Sequence, residues 1–307
     1  MSSSIIQARK LSEIKEDYLI YHYTSPDVFV KILQDGLWAT HTDFLNDDME
    51  IKHGERLAEL VFSADPLKTV HKDIKQSLNN LDVYITCFAK EPDSLYQWKA
   101  YTPHGGFAIG FSRKELFEAA NSKLLQEGTE ERKMLDMHKA FATYNEISSE
   151  KSQFFFLEKC IYSPESIVKE MVEEVKNTAI QAPEMFDVAC RELKRKYGIL
   201  EVMDNFAFIP ILKLLCCMAK NKTFHIESEE RLICIGDKSL RKKVELIGNK
   251  PRIKIPCDPE VLRKMIKTVE VSPHGNRRRN FAFAEIFRDK YNLDFKIEHS
   301  YSSSNGE

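Results

Sequence analysis

No window of the chain holds the ~18 apolar residues that a membrane-crossing helix needs. The longest apolar stretch, 206–218, is broken by Pro210 and Lys213 and reads as a buried helix. The start lacks a secretory signal as well, since Met1-Ser2-Ser3-Ser4 leads into a charged segment from Arg9 to Asp17 and not into an apolar run with a cleavage site. The expected location is therefore cytoplasmic, with delivery into another cell by a signal not visible here left open. Basic excess is missing too: 45 Lys and Arg against 47 Asp and Glu give a formal charge of -2, so a nucleic-acid partner would depend on local patches. No C-x-x-C pair occurs among the seven cysteines, an odd number without a regular framework, and Cys216 and Cys217 are adjacent. That usage points to a reducing compartment and to buried free thiols, not to zinc or any other metal.

What is present is enough apolar material to build a core, at 43% hydrophobic and 30% charged over 307 residues. Near the start, Leu19 to Tyr23 alternates β-branched and aromatic residues, which favours a strand with His22 on the face opposite Tyr21 and Tyr23. Thr24 or Ser25 can cap a helix that begins at Pro26, carries Val28, Ile32 and Leu33 at helical spacing and stops at Gly36. Such a strand delivers an imidazole and a hydroxyl to a helix N-terminus, where free backbone N–H groups favour a pyrophosphate. The plainer reading of His22 is a hydrogen-bonded structural residue.

Further along, a short strand at 37–40 leads to a turn-rich segment in which Asn46 is either a turn former or a polar contact on the rim of a site. Helices are expected over 48–62 and 66–79, strands at 83–88 and 106–111, and between them a short aromatic segment, 94–101, with Tyr96, Trp98 and Tyr101. Aromatics at this density usually fill a core, but one beside turns can offer a flat platform to a ring. Residues 112–221 read as a mainly helical insertion, with helices at 114–126, 129–151, 166–180, 183–197 and 202–220 and one strand-like interruption at 154–162. Sheet structure resumes at 224–236, where Glu227-Ser228-Glu229 would place two carboxylates on one side of an extended chain, about 6–7 Å apart. A charge-protected edge strand is the plainer reading of that motif. Strands at 244–247, 252–256, 268–271 and 295–299 and helices at 259–266 and 277–290 complete one domain, 18–300, after a polar lead-in, 1–17, and before a disordered tail, 301–307.

These segments form a pattern: Tyr21-His22-Tyr23-Thr24, Phe44-x-Asn46-Asp47, Ser94-Leu95-x-x-Trp98-x-x-Tyr101 and Glu227-x-Glu229-x-Arg231-Leu232-Ile233. It resembles a bacterial family of domains of unknown function, and its opening is similar to the ADP-ribosyltransferase-like superfamily. The resemblance implies an α+β fold with a split mixed β-sheet, here with a large helical insertion, and NAD bound in a cleft as a substrate. It implies that His22 holds the nicotinamide-side ribose, together with Tyr23 and Thr24 of the same strand. Tyr101, or else Trp98, would stack on nicotinamide, Asn46 would lie on the rim, and Glu229 would complete the triad. Glu227 would address the acceptor, as the first Glu does in arginine-modifying members. Those members usually open with Arg and carry Ser-Thr-Ser where this chain has His22 and Thr86-Cys87-Phe88, so the acceptor stays open. The expected activity is mono-ADP-ribosyl transfer to a macromolecule, a protein before a nucleic acid, in a toxin, effector or defence enzyme. A non-catalytic nucleotide- or partner-binding module and an NAD glycohydrolase are the alternatives.

Overall fold

Strand β1 (Leu19–Thr24) is stopped by Ser25, whose Oγ accepts from the Val28 N–H at 3.4 Å and caps helix α1 (Pro26–Asp35). Pro26 occupies the first turn, where its missing N–H costs nothing, and Gly36 ends the helix at φ 92°, a backbone angle that side chains disfavour. The computed structural model describes residues 17–45, 52–56, 59, 75, 78–122, 155–162, 213–214 and 216–302. The helices expected at 129–151, 166–180 and 183–197 lie outside the described residues, as do Asn46 and the lead-in before Asp17.

The remaining strands are β2 (Trp38–His41), β3 (Leu81–Ala89), β4 (Phe107–Ser112), β5 (Phe155–Lys159), β6 (Ile161–Tyr162), β7 (Ala219–Lys220) and β8 (Glu229–Asp237). They continue with β9 (Val244–Ile247), β10 (Lys250–Lys254), β11 (Ile266–Val271) and β12 (Lys296–His299). Helices α2 (Leu95–Tyr101), α3 (Arg113–Ala120), α4 (Pro259–Met265) and α5 (Arg277–Lys290) lie between them. The architecture is α+β, with a mixed, mostly antiparallel sheet. Its order is β12-β11-β4-β1-β3-β2-β10-β9, with β8 joining β3 to β5; β6 and β7 form a separate parallel pair.

The sheet forks at β3. One edge of β3 pairs with β8 along its whole length, from Leu81 opposite Asp237 to Ala89 opposite Glu229. The opposite edge is divided: β2 takes Tyr84 and Ile85, while β1 takes only Ala89, opposite Tyr21. Between those contacts the prongs diverge, and side chains replace the ladder. Thr86 Oγ1 donates to the Trp38 carbonyl at 3.0 Å on one prong, and His22 Nδ1 meets the Cys87 carbonyl at 3.0 Å on the other. A carbonyl left without a donor here would be costly, so these two bonds stabilise the fork.

Alternation along β1 sends Ile20 into the main core with Phe29, Phe107, Phe111 and Val269, while Tyr21 and Tyr23 pack on the other face with Ala89, Trp98 and Ala108. Helices α1 and α5 cover the first face, where Phe107 meets Phe29 at 4.6 Å and Phe283 at 6.0 Å. On the second face lies α2, with Trp98 edge-on to Tyr23 at 4.6 Å.

Three local expectations need correction. The segment 222–227 is a 3-10 helix instead of the start of a strand, and Ser228 leaves it in the left-handed region at φ 43°, which delays β8 until Glu229. The helix expected to run to Lys220 gives way to β7 at Ala219, because those residues pair with Ile161 and Tyr162. Tyr301 and Ser302, assigned to a disordered tail, are held by backbone N–H bonds of 2.7 and 2.9 Å to Asp93 Oδ2.

Candidate functional site

His22 is half-buried and stands in the gap of the fork, its ring 5.7 Å from that of Phe88. A carbonyl only accepts, so Nδ1 carries the hydrogen of the bond to Cys87 and Nε2 of the neutral ring is an acceptor. Burial lowers the pKa of His22, the Cys87 bond partly offsets this, and the Arg252 charge lowers it further.

Glu229 opens β8 with its backbone N–H donating to Tyr162 Oη at 2.8 Å. Its carboxylate is fully engaged. Oε1 accepts from Arg231 Nε at 2.7 Å, and Oε2 accepts from Lys220 Nζ, which also donates to Glu227. Burial alone would raise the Glu229 pKa, but Arg231, Lys220 and a Cys87 thiol bond outweigh it and push it down to about 2. All four charged groups are buried, two cations against two carboxylates. Glu227 reaches this cluster from the end of the 3-10 helix, across the left-handed Ser228, so the two acids converge through Lys220 and not through the alternation of one strand.

A cavity of about 70 Å³ opens at the fork, lined by His22, Cys87, Gln97, Tyr101, Glu227 and Glu229, with Tyr21 and Tyr23 on its wall. By strand register Glu229 shares a sheet face with Ala89 and Tyr21, while alternation turns His22 toward the other face. Divergence of the prongs lets one cavity take its lining from both. Its volume corresponds to about two water molecules.

Five of the sequence-predicted residues therefore meet here: His22, Tyr23, Tyr101, Glu227 and Glu229. Tyr101 lines the cavity and is 42% exposed. Trp98 is elsewhere. It is fully buried and its Nε1 donates to Asp93 at 2.6 Å, which leaves no open face for stacking. Thr24 is buried where β1 ends, paired with Phe107, and Asn46 lies outside the described residues. At the α1 N-terminus, Ser25 caps, Pro26 has no N–H, and Asp27 already places a carboxylate in the first turn, so a pyrophosphate there would meet a like charge.

Sequence reasoning missed Lys220, Cys87 and Arg252. Lys220 and Cys87 carry no local signal, since one was read as helix and the other as core. Arg231 was within reach, because it stands two residues from Glu229 and shares its face. Among the described residues no group of three or more His, Cys, Asp or Glu could hold a metal ion, and the six described cysteines are free. No helix of the described residues is long and apolar enough to cross a membrane.

A family model described as a protein of unknown function, DUF2971, matches residues 97–232. That span runs from α2 into β8 and contains Trp98, Tyr101, Glu227 and Glu229, but not His22. No curated protein and no solved structure matches the chain.

Proposed function

We propose that the fork is the active site of an NAD-consuming mono-ADP-ribosyltransferase with an ADP-ribosyltransferase-like split sheet. The observation that carries this reading is that His22 and Glu229, from the first and a late strand, line one cavity with Tyr101. In the reaction the bond between ribose C1′ and the nicotinamide nitrogen breaks, its electron pair leaves with nicotinamide, and positive charge develops on the ribose. Glu229, ionised throughout the neutral range, stabilises that charge. Nε2 of the neutral His22 accepts from a ribose hydroxyl, and Tyr101 holds the leaving ring flat. The acceptor nucleophile, a protein side chain such as arginine, bonds to C1′ as Glu227 takes its proton; with water as acceptor the same site is an NAD glycohydrolase.

Lys220 sets a condition on this chemistry. While it binds both carboxylates, and Arg231 binds Glu229, the cluster is neutral and offers little stabilisation to a developing cation. Turnover therefore requires Lys220 to leave Glu229 when substrate enters. The same neutralisation favours a second reading, a nucleotide- or partner-binding module that performs no chemistry. Incubation with NAD labelled in the nicotinamide ring separates the two. Release of labelled nicotinamide, lost in Glu229→Gln, is the expected result; NAD binding without release supports the second reading and overturns the first.

A further inference from the structure

Arg252 on β10 lies opposite Thr40 of β2, and Lys254 lies opposite Trp38. The two-residue period of a strand puts Trp38, Thr40, Arg252 and Lys254 on one face of the second prong. Register extends that face through Ile85 and Cys87 of β3 to Arg231 and Glu229 of β8. Arg252 thus stands on the Glu229 side of the sheet, across the fork from His22 and close enough for its charge to disfavour protonation of the imidazole.

Among the described residues the buried cations are matched. Arg113 is paired with Glu230, Lys213 with Glu55, Arg231 with Glu229, and Lys220 with two acids. Arg252 is half-buried, yet its Nε is shut off from solvent without a hydrogen-bond partner, and among the described residues no carboxylate pairs with it. Glu245, its cross-strand neighbour on β9, is exposed and makes no ion pair with it. A guanidinium N–H shut off from water without an acceptor is unfavourable, and an anion on the half-exposed group would complete it.

We propose that Arg252 binds a phosphate of a nucleoside diphosphate group in the fork, with Lys254 as the second cation and the half-buried Trp38 ring as a flat contact for the base. Two cations two residues apart on a strand are spaced by about 6–7 Å, which suits two linked phosphates better than one carboxylate. The proposal rests on the fork being a nucleotide site and identifies which group of the nucleotide the second prong recognises.

Titration with ADP and with adenosine, followed by calorimetry and by intrinsic fluorescence, tests it. The chain has two tryptophans, Trp98 sealed in the core and Trp38 half-exposed, so a fluorescence change reports the prong. The wild-type chain is expected to bind ADP at least about ten-fold more tightly than adenosine. Arg252→Gln should lose about ten-fold or more for ADP and nothing for adenosine, with Arg252→Lys between them, and circular dichroism should show all variants folded. No ADP binding by the wild-type chain overturns the proposal, and so does ADP affinity unchanged in Arg252→Gln or weakened equally for adenosine. ADP binding that depends on Arg252, in a chain that releases no nicotinamide from NAD, sustains this site while the transferase reading falls. Nicotinamide release with ADP affinity indifferent to Arg252 does the reverse.

Discussion

His22 on β1 donates from Nδ1 to the carbonyl of Cys87 on β3 across a gap where no strand is paired, at 3.0 Å. The bond fixes the ring tautomer and closes the fork at the position from which Cys87 also reaches Glu229 through its thiol. One residue of β3 therefore joins the two groups on which the proposed chemistry depends.

His22→Ala leaves the Cys87 carbonyl without its donor and should cost about 1–3 kcal/mol in denaturant unfolding. Burial lowers the His22 pKa below 6.5, so the unfolded chain takes up a proton before the folded one. Stability contributed by the neutral ring is complete above pH 6.5 and declines as the pH falls below it. In His22→Ala that decline should be shallower, as measured by the thermal midpoint between pH 7 and 5.

Glu229→Gln tests electrostatics and chemistry separately. Because the folded carboxylate is pushed down to about 2 from an ordinary 4.5, its contribution to stability is complete above 4.5 and is lost as the pH falls from there toward 2. The variant should be less stable by about 3–5 kcal/mol at pH 7, since Arg231 is left buried without its carboxylate, and its acid limb should flatten. Nicotinamide release should drop by about 10²–10³-fold, as for loss of one transition-state charge contact, in protein shown to be folded.

Lys220 and Glu229 form part of one buried cluster, so their substitutions should not add. Lys220→Met removes the cation shared by two acids and should cost about 3–5 kcal/mol alone. Combined with Glu229→Gln, the total should fall short of the sum by about 1–3 kcal/mol in a double-mutant cycle. Strict additivity would contradict the shared-ammonium geometry.

Glu270 of β11 and Glu298 of β12 face each other in register on parallel strands. Burial, followed by the charges of Glu298 and Asp93, pushes the Glu270 pKa up to about 7. Its folded value exceeds its unfolded value, so stability falls as the pH rises from about 4.5 through 7 and then levels off. Glu270→Gln should abolish that slope and stabilise the chain above pH 7 by about 1 kcal/mol, allowing for solvent screening. Unfolding midpoints at pH 5 and pH 8 measure the effect.

Local chemistry determined much of this molecule before any tertiary contact was known. The alternation of Leu19 to Tyr23, the Ser25-Pro26 start, the Gly36 stop and the apolar strands at 83–88 and 106–111 appear as expected, because each depends on residues within a few positions. Within 94–101, open between a short helix and a loop by sequence, residues 95–101 form helix α2. Among its aromatics, however, sequence could not separate Trp98 from Tyr101, because three residues of spacing on a helix do not reveal which ring the sheet will cover.

The tertiary structure decided the rest. That β1 and β2 share one edge of β3, that Ser228 turns left-handed so Glu227 and Glu229 converge on Lys220, and that Arg252 meets no carboxylate among the described residues all depend on segments far apart in the chain. Pairing between strands and the neutralisation of buried charge are long-range quantities. Periodicity specifies which face a residue prefers, while only packing specifies what faces it.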